Sequence, residues 1–116
     1  VEHERMYKTL VLKGGKKGYF VCCIPVDEEL DLKKAARAAG EKKVEMIHVK
    51  DMLAVTGYIR GGCSPIGMKK HYPIYIEEMA QLHDTVMVSA GQRGIQVTLE
   101  PEALRAYVEG IFVSLV

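Results

Sequence analysis

The sequence contains no hydrophobic run that approaches the roughly 18 residues of a membrane-spanning helix. It also lacks an excess of charge, since 16 basic residues stand against 15 acidic residues and the net charge is +1. Any contact with nucleic acid must therefore come from a local basic patch. The first residues carry neither the charged region nor the apolar region of a signal peptide, so we expect no membrane association.

Cysteine is scarce, with Cys22, Cys23 and Cys63 as its three occurrences. None of them belongs to a CxxC pair, which argues against zinc-binding and redox motifs. An odd number of cysteines without a secretory signal is typical of a reducing cytosol, so we expect a cytoplasmic protein. No cluster of His, Cys and Asp has the spacing of a metal site, and we predict no metal and no cofactor.

The composition is that of a folded domain. Hydrophobic residues make up 48% and charged residues 27% of the 116 residues, which predicts a packed core with a solvated surface. There is no repeat, linker or low-complexity segment. We therefore expect residues 1–116 to form one domain.

The N-terminal half predicts a β-hairpin followed by a helix. Residues 6–12 mix β-branched, aromatic and aliphatic side chains and predict a strand; a glycine-rich turn at 14–18 leads to a returning strand at 19–24. Pro25 ends that strand because it cannot donate a ladder hydrogen bond. Asp31 is placed to cap a helix over 32–39, which Gly40 ends.

The remaining elements alternate in type. Strands are predicted at 44–49, 72–76, 85–90 and 95–99, and helices at 52–56, 77–81 and 102–109. Asp51 is expected to cap the first of these helices, and Pro101 suits the first turn of the last one. The apolar tail, 111–116, should pack on the body. This order predicts an α+β fold whose mixed, largely antiparallel sheet curls, or closes as a barrel, and is flanked by helices.

The most unusual segment is Gly61-Gly62-Cys63-Ser64-Pro65-Ile66-Gly67. Three glycines in seven residues allow backbone to approach a ligand closely, and their N–H groups could form a nest for an oxygen. The segment matches neither the Walker loop nor the dinucleotide-binding GxGxxG pattern. From the residues alone, a plain loop remains the simpler interpretation.

This segment, preceded by Gly57-Tyr58 and followed by Met68-Lys69-Lys70, resembles the signature of the YbaK/EbsC family. These proteins are freestanding relatives of the editing domain of bacterial prolyl-tRNA synthetases. Further similar motifs occur in the same order as in the family: 8–11, 32–36, 43–46 and 88–94. The resemblance covers nearly the whole chain. The family also carries an N-terminal helical segment before the lysine-bearing strand, whereas five residues precede Met6, so we expect one wall of the site to be incomplete here.

The resemblance implies a deacylase that clears mischarged Cys-tRNA(Pro), and it suggests a complex with prolyl-tRNA synthetase. It places the essential lysine at Lys8, which without the resemblance is more simply explained as a solvent-facing lysine of an edge strand. It implies that Gly61 and Gly62 present N–H groups to the substrate. The other matching residues are assigned to substrate binding: Tyr58, Cys63, Ser64, Pro65 and Ser89. Thr9 follows Lys8 but should point to the opposite face of a regular strand.

The nucleophile is implied to be the thiol of the bound cysteine, so that the protein mainly positions the ester. The sequence offers no evident Ser-His-Asp set, and Cys63 has no histidine that sequence alone can place beside it. Two alternatives remain open at this stage. The first is deacylation of another ester such as Ala-tRNA(Pro), and the second is a module that binds tRNA or a nucleotide without chemistry.

Overall fold

The computed structural model describes residues 5–59 and 62–116. The strands in these ranges are β1 (Tyr7–Gly14), β2 (Tyr19–Pro25), β3 (Val44–Met46), β4 (Ile74–Glu77), β5 (Val86–Gln92), β6 (Ile95–Leu99) and β7 (Ile111–Val113). The α-helices are α1 (Leu32–Ala39), α2 (Met52–Thr56) and α3 (Pro101–Val108). Short 3-10 helices lie at Val49–Asp51 and Glu78–Leu82. Within the described ranges, no helix has the length and apolar character needed to cross a membrane.

Five strands form one sheet in the order β3-β1-β2-β4-β7. β1 pairs antiparallel with both β2 and β3, whereas β4 runs parallel to β2 and β7 parallel to β4. β5 and β6 form a separate antiparallel hairpin that touches the start of β1 through a single bridge between Met6 and Met87. The predicted curled, mixed sheet of an α+β fold is therefore confirmed.

The β1–β2 hairpin agrees with the predicted one, and its register fixes the direction of each side chain. Lys8 lies opposite Ile24, and Thr9 lies opposite Cys23. The turn is closed by the Gly14 N–H, which donates to the Gly18 carbonyl at 2.8 Å.

The central strand β2 is buried on both faces, so the sheet carries one core on each side. On one side pack Val11, Val21, Cys23, Ile76, Val86, Val88, Leu104 and Val108, under β5 and α3. On the other side pack Leu12, Phe20, Cys22, Ile24, Ala35, Ala39 and Leu115, under α1 and the C-terminal tail. β1 contributes to both cores in alternation, as a strand between two layers must.

α1 begins and ends where the sequence predicts. The Asp31 side chain accepts from the backbone N–H groups of Lys33 and Lys34, and Gly40 ends the helix in the left-handed conformation. The expected Asp51 cap is wrong. Asp51 belongs to a 3-10 turn that continues into α2, and its side chain makes no capping hydrogen bond.

Several predicted strands have different limits in the structure, and two of these differences have a clear cause. β3 ends at Met46 rather than at residue 49, because the chain turns into the 3-10 helix that begins at Val49. β4 begins at Ile74, directly after Pro73, rather than at residue 72. The Pro73 carbonyl nevertheless accepts from the Val21 N–H at 2.9 Å, so this segment already lies beside β2.

The C-terminal tail is held by a buried acid. Glu77 at the end of β4 is 2% exposed, and its carboxylate accepts from the N–H groups of Leu115 at 2.7 Å, Val116 at 3.1 Å and Met79 at 2.9 Å. Three backbone donors satisfy a charge that would otherwise be costly to bury. The tail thus packs on the body, as predicted.

Candidate active site at the free edge of β1

A cavity of about 470 Å³ opens along the edge of β1. Among the described residues, β3 pairs with Leu12, Lys13 and Gly14 of this strand, and β5 forms its one ladder bridge at Met6, just before β1. The intervening part of β1 therefore borders the cavity. The lining residues are Tyr7, Lys8, Thr9, Leu10, Val11, Val26, Met46, Ile47, Val49, Met52, Cys63, Ser89 and Gln96.

The backbone of β1 also faces this cavity. The Met6 carbonyl accepts from the Val26 N–H at 2.8 Å on the β2 side, whereas the Val11 carbonyl accepts from the Ile47 N–H at 2.9 Å on the opposite side. Backbone groups alternate in direction along an antiparallel strand. The N–H and C=O of Thr9 consequently point away from β2 and toward the cavity.

Lys8 and Thr9 point to opposite faces of β1, as expected, yet both line the cavity. Thr9 lies on the face of Tyr7 and Val11, and Lys8 lies on the face of Leu10. The cavity extends around the strand edge, so it receives side chains from both faces. Among the lining residues that the structure describes, Lys8 is the single side chain charged at neutral pH.

Two hydroxyl groups lie buried on the Thr9 face of β1. The oxygen atoms Tyr7 Oη and Thr9 Oγ1 are buried and have no hydrogen-bond partner among the described residues. Burial raises the pKa of the Tyr7 hydroxyl, with further increases from Glu77 and Cys23, so Tyr7 stays protonated. The Thr9 hydroxyl lies close enough to the Cys23 thiol to lower the pKa of that thiol in part, and Tyr7 belongs to the core that packs on this face of the sheet.

Cys63 forms part of the cavity wall and is 8% exposed. Burial raises the pKa of its thiol to about 11, although a contact with the Thr56 hydroxyl lowers it in part. At neutral pH the group is a thiol rather than a thiolate, and the thiolate is the nucleophilic form. Cys63 thus shapes the cavity without being poised for attack.

Ser89 lies across the cavity on β5. Its Oγ accepts from the Gly91 N–H at 3.2 Å, and Gln96 faces it from β6. The ladder is irregular between Ser89 and Gln92. Such an irregularity re-aims side chains at a strand end.

The glycine-rich loop is built differently from the cavity edge. The Gly62 N–H donates to the Ile59 carbonyl at 3.0 Å, so this N–H is already used within the loop. Ser64 is 1% exposed, and its Oγ accepts from the Ile66 N–H at 3.1 Å. The Tyr58 hydroxyl donates to the Ile66 carbonyl.

The structure brings three of the predicted site residues together in the cavity, namely Lys8, Cys63 and Ser89. It places Gly62, Tyr58 and Ser64 in the adjoining loop, outside the lining. Pro65 borders a different, smaller cleft, whose lining also includes His71 and the end of α3. Gly61 lies outside the described residues.

Sequence reasoning missed several cavity residues. The sequence predicts Thr9 on the face opposite Lys8, because the pattern does not show where the edge of the strand is free. Gln96 carries no signal beyond alternation along a strand. The apolar wall formed by Met46, Ile47, Val49 and Met52 had been predicted partly as strand. An exposed side chain at Val49, 55% accessible, is the kind of signal that marks such a rim.

Comparisons with known proteins agree with this architecture. Residues 1–107 match the family described as the aminoacyl-tRNA editing domain. A protein of Enterococcus faecalis, named as a candidate Cys-tRNA(Pro)/Cys-tRNA(Cys) deacylase, EbsC, is 55% identical over 115 residues, which cover 99% of this chain and 70% of that protein.

Solved structures extend the comparison. A crystal structure described as that of a candidate trans-editing enzyme for prolyl-tRNA synthetase superposes with a TM-score of 0.90 at 25% identity, over 99% of this chain and 72% of the other. The structure of the hypothetical protein APE2540 superposes with a TM-score of 0.91 at 19% identity, over 99% and 76%, and shows the shared fold. The chain belongs to the aminoacyl-tRNA editing domain family.

Proposed function

We propose that this protein hydrolyses the ester that joins cysteine to tRNA(Pro). The observation that carries the proposal is the cavity at the free edge of β1, where Lys8 lies beside the outward-facing backbone groups of Thr9 in a chain of the editing-domain family. The 55% identity to a protein named for Cys-tRNA(Pro) deacylation supports the choice of amino acid and tRNA.

Lys8 supplies positive charge where negative charge develops. Attack on the ester carbonyl places charge on its oxygen, and a fixed cation in a partly dry cavity stabilises that charge more than water does. The same cation favours ionisation of a substrate thiol close to it. The Thr9 backbone groups provide hydrogen bonds that can orient the aminoacyl group.

The nucleophile we propose is the thiol of the bound cysteine. Its sulfur bonds to the carbonyl carbon, the ester C–O bond breaks, and the ribose oxygen leaves with the proton that the thiol gave up. Water then opens the cyclic thioester and releases cysteine. A free thiol has a pKa of about 8.5, whereas burial raises the pKa of Cys63 to about 11.

The other protein thiols are still less suited to attack. Cys22 and Cys23 are buried in the two cores, and burial raises the pKa of Cys23 to about 12. The substrate thiol is therefore the sulfur most easily ionised near neutral pH. We further propose that the chain acts as a single editing domain in the cytoplasm, together with prolyl-tRNA synthetase, which delivers the mischarged tRNA.

A deacylation assay with four esters of tRNA(Pro) tests the proposal. Cys-tRNA(Pro) should be hydrolysed much faster than the seryl, alanyl and prolyl esters, because only cysteine carries an easily ionised nucleophile. Equal rates on the cysteinyl and seryl esters would point to a water held by the enzyme. Preference for the alanyl ester would show that Ala-tRNA(Pro) is the substrate. If the protein bound the tRNA but hydrolysed none of the esters, it would be a binding module without catalytic activity.

A further inference from the structure

A second surface lies at the far end of β1. A groove of about 460 Å³ is lined by Lys13, Gly14, Gly15, Lys43, Val44 and Glu45. It lies between the β1–β2 turn and the segment that leads from α1 into β3. We refer to it below as the lysine groove.

The groove concentrates positive charge in a chain that is almost neutral. The groove itself is lined by two lysines and one glutamate. The two segments that carry these residues and flank the groove, 13–17 and 41–45, contain five lysines and two glutamates, a net charge of +3. The whole chain has a net charge of +1, so the remainder of the molecule carries −2. This is the local basic patch that a nearly neutral nucleic-acid binder requires.

The positive charges are largely free to meet a ligand. The side chains of Lys13, Lys16, Lys42 and Lys43 are exposed, and no carboxylate among the described residues lies within ion-pair distance of their ammonium groups. The Lys13 ammonium lies over the Tyr19 ring, 5.7 Å from its centre. Glu45 faces Lys13 in the β1–β3 register and offsets part of its charge.

The second acid, Glu41, is occupied by the backbone. Its carboxylate accepts from the N–H groups of Lys17 at 2.6 Å and Lys16 at 3.0 Å. The Lys17 hydrogen bond is the main reason that the pKa of Glu41 is lowered. A Cβ on Gly14 would lie 2.4 Å from the Glu41 carboxyl carbon, so any other residue there would displace the Glu41 side chain from the turn. Glu41 thus fixes the turn that presents the lysines.

The groove is connected to the cavity by the same two strands. β1 carries Lys8 at the cavity and Lys13 at the groove, which are separated by about 16 Å along an extended strand. β3 likewise lends Met46 to the cavity and Val44 to the groove. A polyanion lying in the groove could therefore present one of its ends to the cavity.

We propose that the lysine groove binds the phosphate backbone of the RNA whose aminoacyl end enters the cavity. The inference rests on the proposed function for its choice of RNA. Lysine ammonium groups act as point charges toward phosphates, whereas protein interfaces are depleted in lysine and enriched in aromatic residues. The groove has lysines, glycines and no aromatic side chain among its lining residues.

The test measures binding of uncharged tRNA(Pro) by fluorescence anisotropy at several salt concentrations, so that no hydrolysis is needed. The double variant Lys13→Gln/Lys43→Gln should bind about tenfold more weakly at moderate salt. Its slope of log Kd against log salt should fall by about 1.5, as expected for the loss of two phosphate contacts. The control Lys33→Gln/Arg37→Gln removes the same charge from the exposed surface of α1 and should bind like the unchanged protein.

A second pair of variants adds charge instead of removing it. A Cβ on Gly15 would have no atom within 4 Å, and its backbone lies outside the positive-φ region, so side chains fit there. Gly15→Glu should weaken RNA binding several-fold, whereas the equally large but neutral Gly15→Gln should not. Thermal unfolding of all four variants establishes that they fold.

The proposal is overturned if the groove variants bind RNA as the unchanged protein does, or if the control pair loses as much affinity. Polyglutamate serves as a probe for an acidic protein surface. The proposal is also overturned if the groove variants still bind tRNA but lose binding of polyglutamate, since the groove would then fit an acidic protein surface. Failure of the proposed function would look different. In that case the RNA affinities would follow the pattern above while Cys-tRNA(Pro) remained intact.

Discussion

The loop over residues 62–67 and the free edge of β1 lie side by side, but their polar groups are used in opposite ways. In the loop, the Gly62 N–H, the Ser64 hydroxyl and the Tyr58 hydroxyl are all committed to carbonyl or amide groups of the same segment. At the strand edge, Thr9 Oγ1 and Tyr7 Oη have no partner among the described residues.

This difference shows what the glycine-rich loop contributes to the site. Glycine, serine and proline make a loop visible in the sequence because they permit tight backbone turns. Here those turns build a wall, with Cys63 facing the cavity. The groups available to a substrate lie on an ordinary-looking strand that lacks a neighbour along part of its edge. In the function we propose, the chemistry therefore belongs to the strand, and the described part of the loop forms a wall.

Removing Lys8 should give the largest effect. Lys8→Ala takes the charged group from the cavity, and we expect kcat/KM on Cys-tRNA(Pro) to fall by at least about 100-fold, the range seen when a stabilising donor is lost. Circular dichroism and thermal unfolding should remain normal. Lys33→Ala, an exposed lysine in the first turn of α1, is the matched control and should retain full activity. Normal turnover by a folded Lys8→Ala protein would remove the strand edge from the reaction.

Gly91→Ala should damage the support rather than the chemistry. Gly91 has a φ of +97°, and an added Cβ would lie 2.9 Å from Tyr58 Cε1. We expect a loss of about 3 kcal/mol in unfolding free energy, from backbone strain and overpacking together. Gly94 has a similar φ of +78°, and a Cβ there would have no atom within 4 Å. Gly94→Ala therefore measures the cost of backbone strain alone, about 1 kcal/mol of unfolding free energy. Urea denaturation measures both, and equal losses would show that Tyr58 does not pack on Gly91.

Tyr58→Phe tests the loop with a smaller change. The variant keeps the ring between Gly67 and Gly91 but loses the hydrogen bond to the Ile66 carbonyl. The expected cost is about 1 kcal/mol of stability with kcat/KM unchanged, since the hydroxyl braces the loop. A fall in activity at unchanged stability would instead return Tyr58 to substrate binding, as the sequence predicts.

Cys63→Ala should have the smallest effect on activity, within about twofold between pH 6.5 and 8.5, because the wild-type thiol stays protonated in that range. Burial raises the pKa of the same thiol from 9.0 to about 11, which makes the stability of the protein depend on pH. Its contribution to stability is full below pH 9 and is lost as pH rises toward 11. Reduced wild-type protein should therefore lose stability over that window more steeply than Cys63→Ala. A dead variant, or a trapped acyl group on Cys63, would contradict the assignment.

Local signals predicted much of the fold. The limits of α1 follow from Asp31 and Gly40, since capping depends on residues adjacent in sequence. The start of β4 at Ile74 and the early end of β3 depend on which strands lie alongside, which no local pattern contains. The Asp51 cap failed because a preceding 3-10 turn placed that residue inside a helical segment.

The candidate site, like the fold, has residues that the sequence predicts and residues that only the tertiary structure reveals. Lys8 and Ser89 were found through resemblance to a family, and Cys63 through its place in a distinctive loop. Thr9 and Gln96 were missed because their access to the cavity depends on where neighbouring strands stop pairing. Strand ends of this kind are tertiary facts, set by contacts between segments far apart in the chain.

The buried carboxylate of Glu77 has a consequence for how the molecule opens. Chain ends normally fray, and their amide hydrogens exchange quickly with solvent. Here, detaching the last residues would strip two N–H donors from a carboxylate that is 2% exposed. The amides of Leu115 and Val116 should therefore exchange with deuterium almost as slowly as those of β2. The end of the described chain thereby belongs to the last part of the molecule to open.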